Sequence, residues 1–276
     1  MSEVGDMLSR NDSEMFVRAS ISTIACLAMM LVVGGCGGAA PPQGRRLLAE
    51  SQNSLVRREY NDTIRKADRF LREYGGTREA GRAYYLRGKA RLSLNNIADA
   101  KSDLQEAVNR SGNSDVRANA RLALGQLAFD SGQMLLAEEL YRNAIVDIEI
   151  GKPPGDHAHY RLGCVLQRRG LWRKAELQFR QVVEYFANTE LARRSSRRVN
   201  ATAWTVQAGA FRSEPRAALL VKKLRAGGLT PHVMPMLGKS GPLFIVVVNR
   251  YESYQQAAKA LIGVKKYQAD AFVTVR

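Results

Sequence analysis

Between residues 44 and 200 the apolar positions recur three and four apart, the spacing of amphipathic helices. After Thr202 they alternate with polar ones, the spacing of strands. The helical pattern itself repeats. Tyr84-x-x-x-Gly88, Arg121-x-x-Leu124-Gly125 and His159-x-x-Leu162-Gly163 align, and twelve residues after each glycine stands Ala100, Ala137 or Ala175. Four further on come Leu104, Tyr141 and Phe179, and three beyond those Ala107, Ala144 and Val182. Gly132 and Gly170 mark turns and are followed two residues on by Met134 and Trp172. A weaker copy comes first: Tyr60, Thr63, Ala67 and Phe70 fall at second-helix positions and place Ser51 where the glycine belongs. The register 51, 88, 125 and 163 has spacings of 37, 37 and 38. Small residues at fixed places let two helices cross closely, and large ones fill the neighbouring holes. The pattern therefore predicts a stack of helix pairs sharing one continuous core.

The C-terminal stretch predicts a different unit. Trp204 to Gly209 reads as a strand, and Ser213-Glu214-Pro215 opens a helix with Ser213 as its cap and proline in the first turn. Ala217, Leu220, Val221 and Leu224 form its apolar stripe, and Gly227-Gly228 ends it. Thr230 to Met236 and Leu243 to Val248 read as strands around a Gly238-Lys239-Ser240-Gly241 turn. Tyr254 to Ile262 reads as a second helix and Ala271 to Val275 as a last strand. The order βαββαβ predicts a four-stranded antiparallel sheet with both helices on one face and the other free for a ligand.

The N-terminus carries an address. Residues 19 to 33, ASISTIACLAMMLVV, are uncharged, follow Arg18 and lead into Gly34-Gly35-Cys36. A spanning helix needs about 20 apolar residues, so this shorter run reads as a secretory signal. Val33-Gly34-Gly35-Cys36 resembles a bacterial lipobox, which implies lipidation of Cys36. Glu3, Asp6, Asp12 and Glu14 make the stretch before Arg18 net acidic where a signal is basic, and a start at Met15 gives an ordinary short lipoprotein signal. The expected organisation is a signal peptide at 1–35, a short tether at 36–43, about four repeats at 44–188, a capping helix and linker at 189–201, and the βαββαβ domain at 202–276.

The repeat offsets resemble the tetratricopeptide pattern, whose stacked helix pairs present a groove for a peptide or partner helix. V-Q-A-G-A-F at 206–211 and D-A-F-V at 270–273 resemble the opening and closing strands of the SPOR domain of bacterial envelope proteins. The family usually has an arginine on the third strand, which ends in Gly-Pro-Phe. Here Ile245 stands in the arginine's place and Asn249-Arg250 in that of Gly-Pro. The resemblance implies binding to peptidoglycan glycan strands stripped of their stem peptides. The candidate contacts are Gln207, Phe244, Ile245, Val247 and Arg250. Gln207 points to the free face if Val206 and Ala208 face the helices, and its amide can donate to and accept from sugar groups.

Charge fits that ligand. The chain holds 42 Lys and Arg against 26 Asp and Glu, a net +16, and residues 202–276 alone hold eleven basic residues against three acidic. A basic surface favours an anionic partner, and removing a stem peptide exposes a carboxylate on each muramic acid. Arg193, Arg194, Arg197 and Arg198 of the capping segment TELARRSSRRV read either as a solvated end face or as an anion patch. With three cysteines in all, there is no disulfide scaffold. His157 and His159, two apart, do not share a helix face as metal ligands would. No phosphate loop, paired-carboxylate motif or nucleophile elbow is present, so no enzyme activity, cofactor or metal is expected, and a signal for export argues against nucleic acid. The sequence reads as an envelope lipoprotein scaffold, facing the periplasm from the outer membrane. It would bind glycan through its last domain and a protein through its repeats, in cell division or envelope organisation. The alternative is an outer-membrane assembly factor whose last domain no longer binds glycan.

Overall fold

The computed structural model describes residues 37–238 and 241–276. The signal peptide and Cys36 lie outside the described residues. Eight helices form four successive hairpins: α1 (Pro42–Val56) with α2 (Tyr60–Tyr74), α3 (Ala80–Ser93) with α4 (Ile97–Arg110), α5 (Ser114–Asp130) with α6 (Met134–Val146), and α7 (Gly155–Arg168) with α8 (Trp172–Tyr185). A short helix, α9 (Glu190–Ser196), closes the stack; the hydroxyl of Thr189 caps it by accepting from Ala192 N at 3.1 Å.

Packing explains the repeat register. A Cβ on Gly163 would lie 2.6 Å from the ring of Phe179, and one on Gly125 would lie 2.8 Å from that of Tyr141. At Gly88 it would meet Asp103 and Leu104 at 3.1 Å. Glycine on the first helix thus lets the second helix seat its large residue against bare backbone. In the first hairpin the place belongs to Ser51, fully buried, whose hydroxyl donates to the Thr63 carbonyl at 3.1 Å. That bond is what makes a buried polar group tolerable there. The turn inside each hairpin needs a left-handed residue: Arg58 (φ 63), Asn95 (φ 60), Gly132 (φ 79) and Gly170 (φ 74), at the spacing of the glycine register. Glycine adopts this conformation freely and asparagine readily, whereas arginine is strained in it.

Ion pairs tie neighbouring helices. The nearly buried Asp103 accepts from Arg87 and Arg91, and Arg87 also reaches Asp68 at 2.5 Å. Asp147 plays the same part for Arg117 and Arg121.

The segment expected to be a tether is largely docked. The Gly38 carbonyl accepts from Arg78 N at 3.2 Å, and Ala40 N donates to the Glu79 carboxylate at 2.9 Å. Ala40 is buried in the first hairpin's core with Leu48, Phe70 and Leu86. The docked chain therefore begins at Gly38.

The C-terminal domain follows the expected order: β1 (Trp204–Phe211), α10 (Glu214–Ala226), β2 (Pro231–Gly238), β3 (Gly241–Tyr251), α11 (Tyr254–Lys265) and β4 (Phe272–Val275). The strands pair antiparallel in the order β2-β3-β1-β4. Val206, Ala208, Val246 and Val248 meet Ala217, Leu220, Leu224 and Val264 in one core. Ser213 stands at the start of α10 but its side chain makes no capping bond, whereas Ser253 and Gln256 form a full capping box on α11.

The two parts pack together. Trp172 of α8 lies 5.6 Å from Trp204 of β1, and Trp204 meets Tyr254 of α11 edge-on at 5.1 Å. The Arg168 guanidinium sits 3.6 Å from the Tyr254 ring and 4.7 Å from that of Phe129. Ala201 and Ala203 of the connecting segment are buried. Aromatic and cation–π contacts of this kind contribute about 0.5–1.5 kcal/mol each, so the connection is a docked joint.

Candidate ligand-binding face and groove

The open face of the sheet is set by register. Gln207 pairs with Val247 on one side and Phe272 on the other, and Val247 pairs with His232. Directly paired residues share a face, so Phe272, Gln207, Val247 and His232 form one row across all four strands. Beside it run Ala210, Ile245 and Met234, paired in the same way. On the other side Thr205 pairs with Thr274. Among the described residues both helices of the domain lie on the opposite face.

Two bulges shape this surface. One adds Ala208 between Gln207 and Gly209. It shifts the residues that follow, so that Ala210, three on from Gln207, shares the open side while Phe211 joins the helix-side core. The other lies at Asn249, which takes a left-handed φ of 55. The Thr205 hydroxyl donates to its carbonyl at 2.8 Å. Glycine is the expected residue in such a conformation, and asparagine tolerates it. The replacement of glycine at this position therefore leaves the strand's path intact.

The candidate residues do not all come together. Gln207 is half-buried at the centre of the row, and Ile245 is half-buried beside it. Val247 shares the face but is only 3% exposed, so it forms floor more than contact surface. Phe244 pairs with Phe211 and packs against the helix-side core, on the face opposite Gln207. Arg250 lies beyond the Asn249 bulge, where its Nη2 donates to the Thr202 hydroxyl at 2.9 Å. Two residues absent from the sequence reading belong to the row: Phe272, 49% exposed, and the exposed His232. Phe272 lies inside the closing D-A-F-V motif, which was its one visible signal.

Seven of the domain's eleven basic residues belong to its helices. Arg216, Lys222, Lys223, Arg225, Lys259, Lys265 and Lys266 sit on or at the ends of α10 and α11 and are exposed on the helical side. The open face itself is apolar with amide, imidazole and hydroxyl groups.

Residues 200–274 match the family of the SPOR domain. This part of the chain is a SPOR domain. No curated protein matches the chain significantly. Among solved structures the chain is similar to MamA, at 21% identity over 68% of this chain and 96% of the other, with a TM-score of 0.43. It is similar to YrrB, described as a tetratricopeptide protein with an unusual peptide-binding site, at 19% identity over 55% of this chain and 82% of the other, TM-score 0.42. A thermophilic tetratricopeptide protein of Thermus thermophilus gives 18% identity over 56% and 80%, TM-score 0.41. The tetratricopeptide character of α1 to α8 stands on this chain's own glycine, alanine and aromatic register.

The solenoid offers a groove. Tyr85 and Lys89 of α3, Asn119 and Gln126 of α5, and His157 and Arg161 of α7 border a cavity of about 400 Å³. These are the first helices of three successive hairpins. Tyr141 also reaches the cavity, and its buried hydroxyl has no hydrogen-bond partner. Burial raises that phenol's pKa. A buried hydroxyl left unbonded costs about 1–3 kcal/mol. The remaining chemistry-bearing residues have structural places. His159 Nδ1 lies 2.8 Å from Gln178 Oε1. Burial pushes the Cys164 thiol pKa up, away from nucleophilic use. Among the described residues no cluster is suited to a metal ion, and no helix is long and apolar enough to cross a membrane.

Proposed function

We propose that this protein is a lipid-anchored envelope scaffold that binds peptidoglycan through the SPOR sheet and a protein partner through the solenoid groove. The observation that carries the reading is the uncovered SPOR face with Gln207 at its centre. Phe272 beside it offers an aromatic surface to sugar rings. Gln207 offers a donor and an acceptor to hydroxyls and acetamides. The preferred ligand is glycan freed of stem peptides, because its bare strands can lie flat on a sheet and carry carboxylates that suit a basic protein.

Lipidation at Cys36 is the proposed anchor. Since the chain is held to the first hairpin from Gly38 onward, an acylated Cys36 would keep that hairpin at the membrane surface. The proposed setting is the periplasmic side of the outer membrane, at sites of division or envelope remodelling. Replacing Cys36 with alanine should abolish fatty-acid labelling; labelling that persists removes the anchor.

The test of the glycan reading is a pull-down of the full chain with sacculi. It should pellet with amidase-treated sacculi and much less with untreated ones; equal recovery, or none, sinks it. A second reading, an assembly factor with a SPOR fold that has lost its ligand, draws support from Ile245 in place of the family's strand arginine. It takes over if treated sacculi are ignored even at low salt.

A further inference from the structure

Seven of the SPOR domain's eleven cations lie on its helical side, and one end of the open face runs into a cluster supplied by the solenoid. Thr274, on the Gln207 side of the sheet, also lines a cleft of about 240 Å³ between β4 and the end of the helical stack. The other walls are Val275, Tyr160, Arg194, Arg197 and Arg198. Strands about 4.8 Å apart with a rise of about 3.4 Å per residue put Thr274 roughly 8 Å from Gln207.

The cleft is held in shape from below. Arg198 Nη1 donates to Gln167 Oε1 at 2.7 Å, and Gln167 is itself 1% exposed. The Arg198 guanidinium lies 5.9 Å from the rings of both Tyr160 and Phe179. Counter-charge is scarce. Glu190 is shared between Arg193 and Arg194, and Arg197 and Arg198 have no ion pair among the described residues. The Trp172–Trp204–Tyr254 joint fixes the cleft relative to the sheet.

We infer that this cleft is a carboxylate subsite, through which the capping helix of the solenoid completes the glycan-binding surface of the SPOR domain. A stem-free strand lying along the Phe272–Gln207 row and over the β4 edge delivers a muramyl carboxylate to Arg194 and Arg197, with Arg198 as the fixed back wall. The joint therefore has a role in binding: it brings arginines from one domain to the edge of the other. The inference rests on the glycan reading above.

The test is a titration of the full chain with soluble stem-free glycan strands across a salt series. The variants are Arg194→Gln with Arg197→Gln, the conservative Arg197→Lys, and Arg193→Gln as a control outside the cleft. Helical content by circular dichroism confirms that each folds. The double variant should bind about fivefold more weakly, the size of two half-exposed ion pairs, and with a shallower salt dependence. Arg197→Lys and Arg193→Gln should stay near wild type. Strands whose carboxylates have been converted to amides should bind wild type as weakly as the double variant. If wild type binds strands and the double variant binds them equally well with the same salt slope, the cleft is not a subsite and the sheet face stands alone. If wild type does not bind the strands at all, the glycan reading and the cleft fall together.

Discussion

Replacing Gly163 with alanine is a one-carbon test of the solenoid's architecture. The new Cβ would lie 2.6 Å and 2.7 Å from two ring carbons of Phe179, closer than real side chains approach. Phe179 is fully buried and packs edge-on against Tyr160 at 5.8 Å, so the ring has nowhere to retreat. Overpacking of this kind costs about 1–3 kcal/mol, while glycine to alanine inside a helix contributes about 1 kcal/mol in the other direction. Because the ring is enclosed, the cost falls in the upper part of that range, about 2–3 kcal/mol, leaving a net loss of about 1–2 kcal/mol. In a unit of this size each kcal/mol moves Tm by about 2–4 °C, so thermal melting followed by circular dichroism should show a drop of about 2–8 °C. Gly112 is the matched control, because a Cβ there meets nothing within 4 Å and its φ is not left-handed. Gly112→Ala should be neutral or slightly stabilising through reduced freedom of the unfolded chain. If Gly163→Ala melts at or above wild type, the aromatic is not seated on the glycine and the repeat register is misplaced.

Arg58→Gly should raise stability by about 1 kcal/mol, since the arginine is held at φ 63 where glycine carries no steric penalty; denaturant titration reads this directly. Asp103→Asn removes a nearly buried carboxylate from between Arg87 and Arg91 and should cost about 3 kcal/mol by the same titration, the low end for a broken buried pair because both arginines keep some solvent. Asp62 is bonded by Lys66 and Ser54, each at 2.6 Å, and these bonds lower its pKa from 3.8 to about 2. Its folded value lies below the unfolded one, so its contribution is complete above about pH 4 and fades as pH falls toward 2. Asp62→Asn should therefore flatten that part of the acid unfolding profile.

The sequence carried the repeat because close helix crossing demands small residues at fixed places. Gly88, Gly125, Gly163 and the alanines twelve residues on are visible for that reason. It carried the βαββαβ order because strands and helices differ in hydrophobic period. The side on which Phe244 points was hidden. Leu243 to Val248 is apolar throughout, so no alternation marks its faces. Only the pairing with β1, shifted by the Ala208 bulge, assigns Ile245 and Val247 to the open side and Phe244 to the core. The joint was hidden too. Trp172 read as a turn-following repeat position, and its contact with Trp204 depends on how two distant units pack. The docking of Gly38 and Ala40 onto residues 78 and 79 is likewise a long-range match that local composition, rich in glycine and proline, concealed.

Glycan bound on the open SPOR face would leave its mark on the backbone amides beneath it. The most direct measurement is an amide-shift titration of the isotope-labelled protein with soluble stem-free glycan strands. The largest changes should fall at Gln207, Ile245, His232 and Phe272 and along β4, with little at the outer surfaces of α10 and α11. Changes confined to the solenoid groove or to the basic helical side, or none at all, would contradict it.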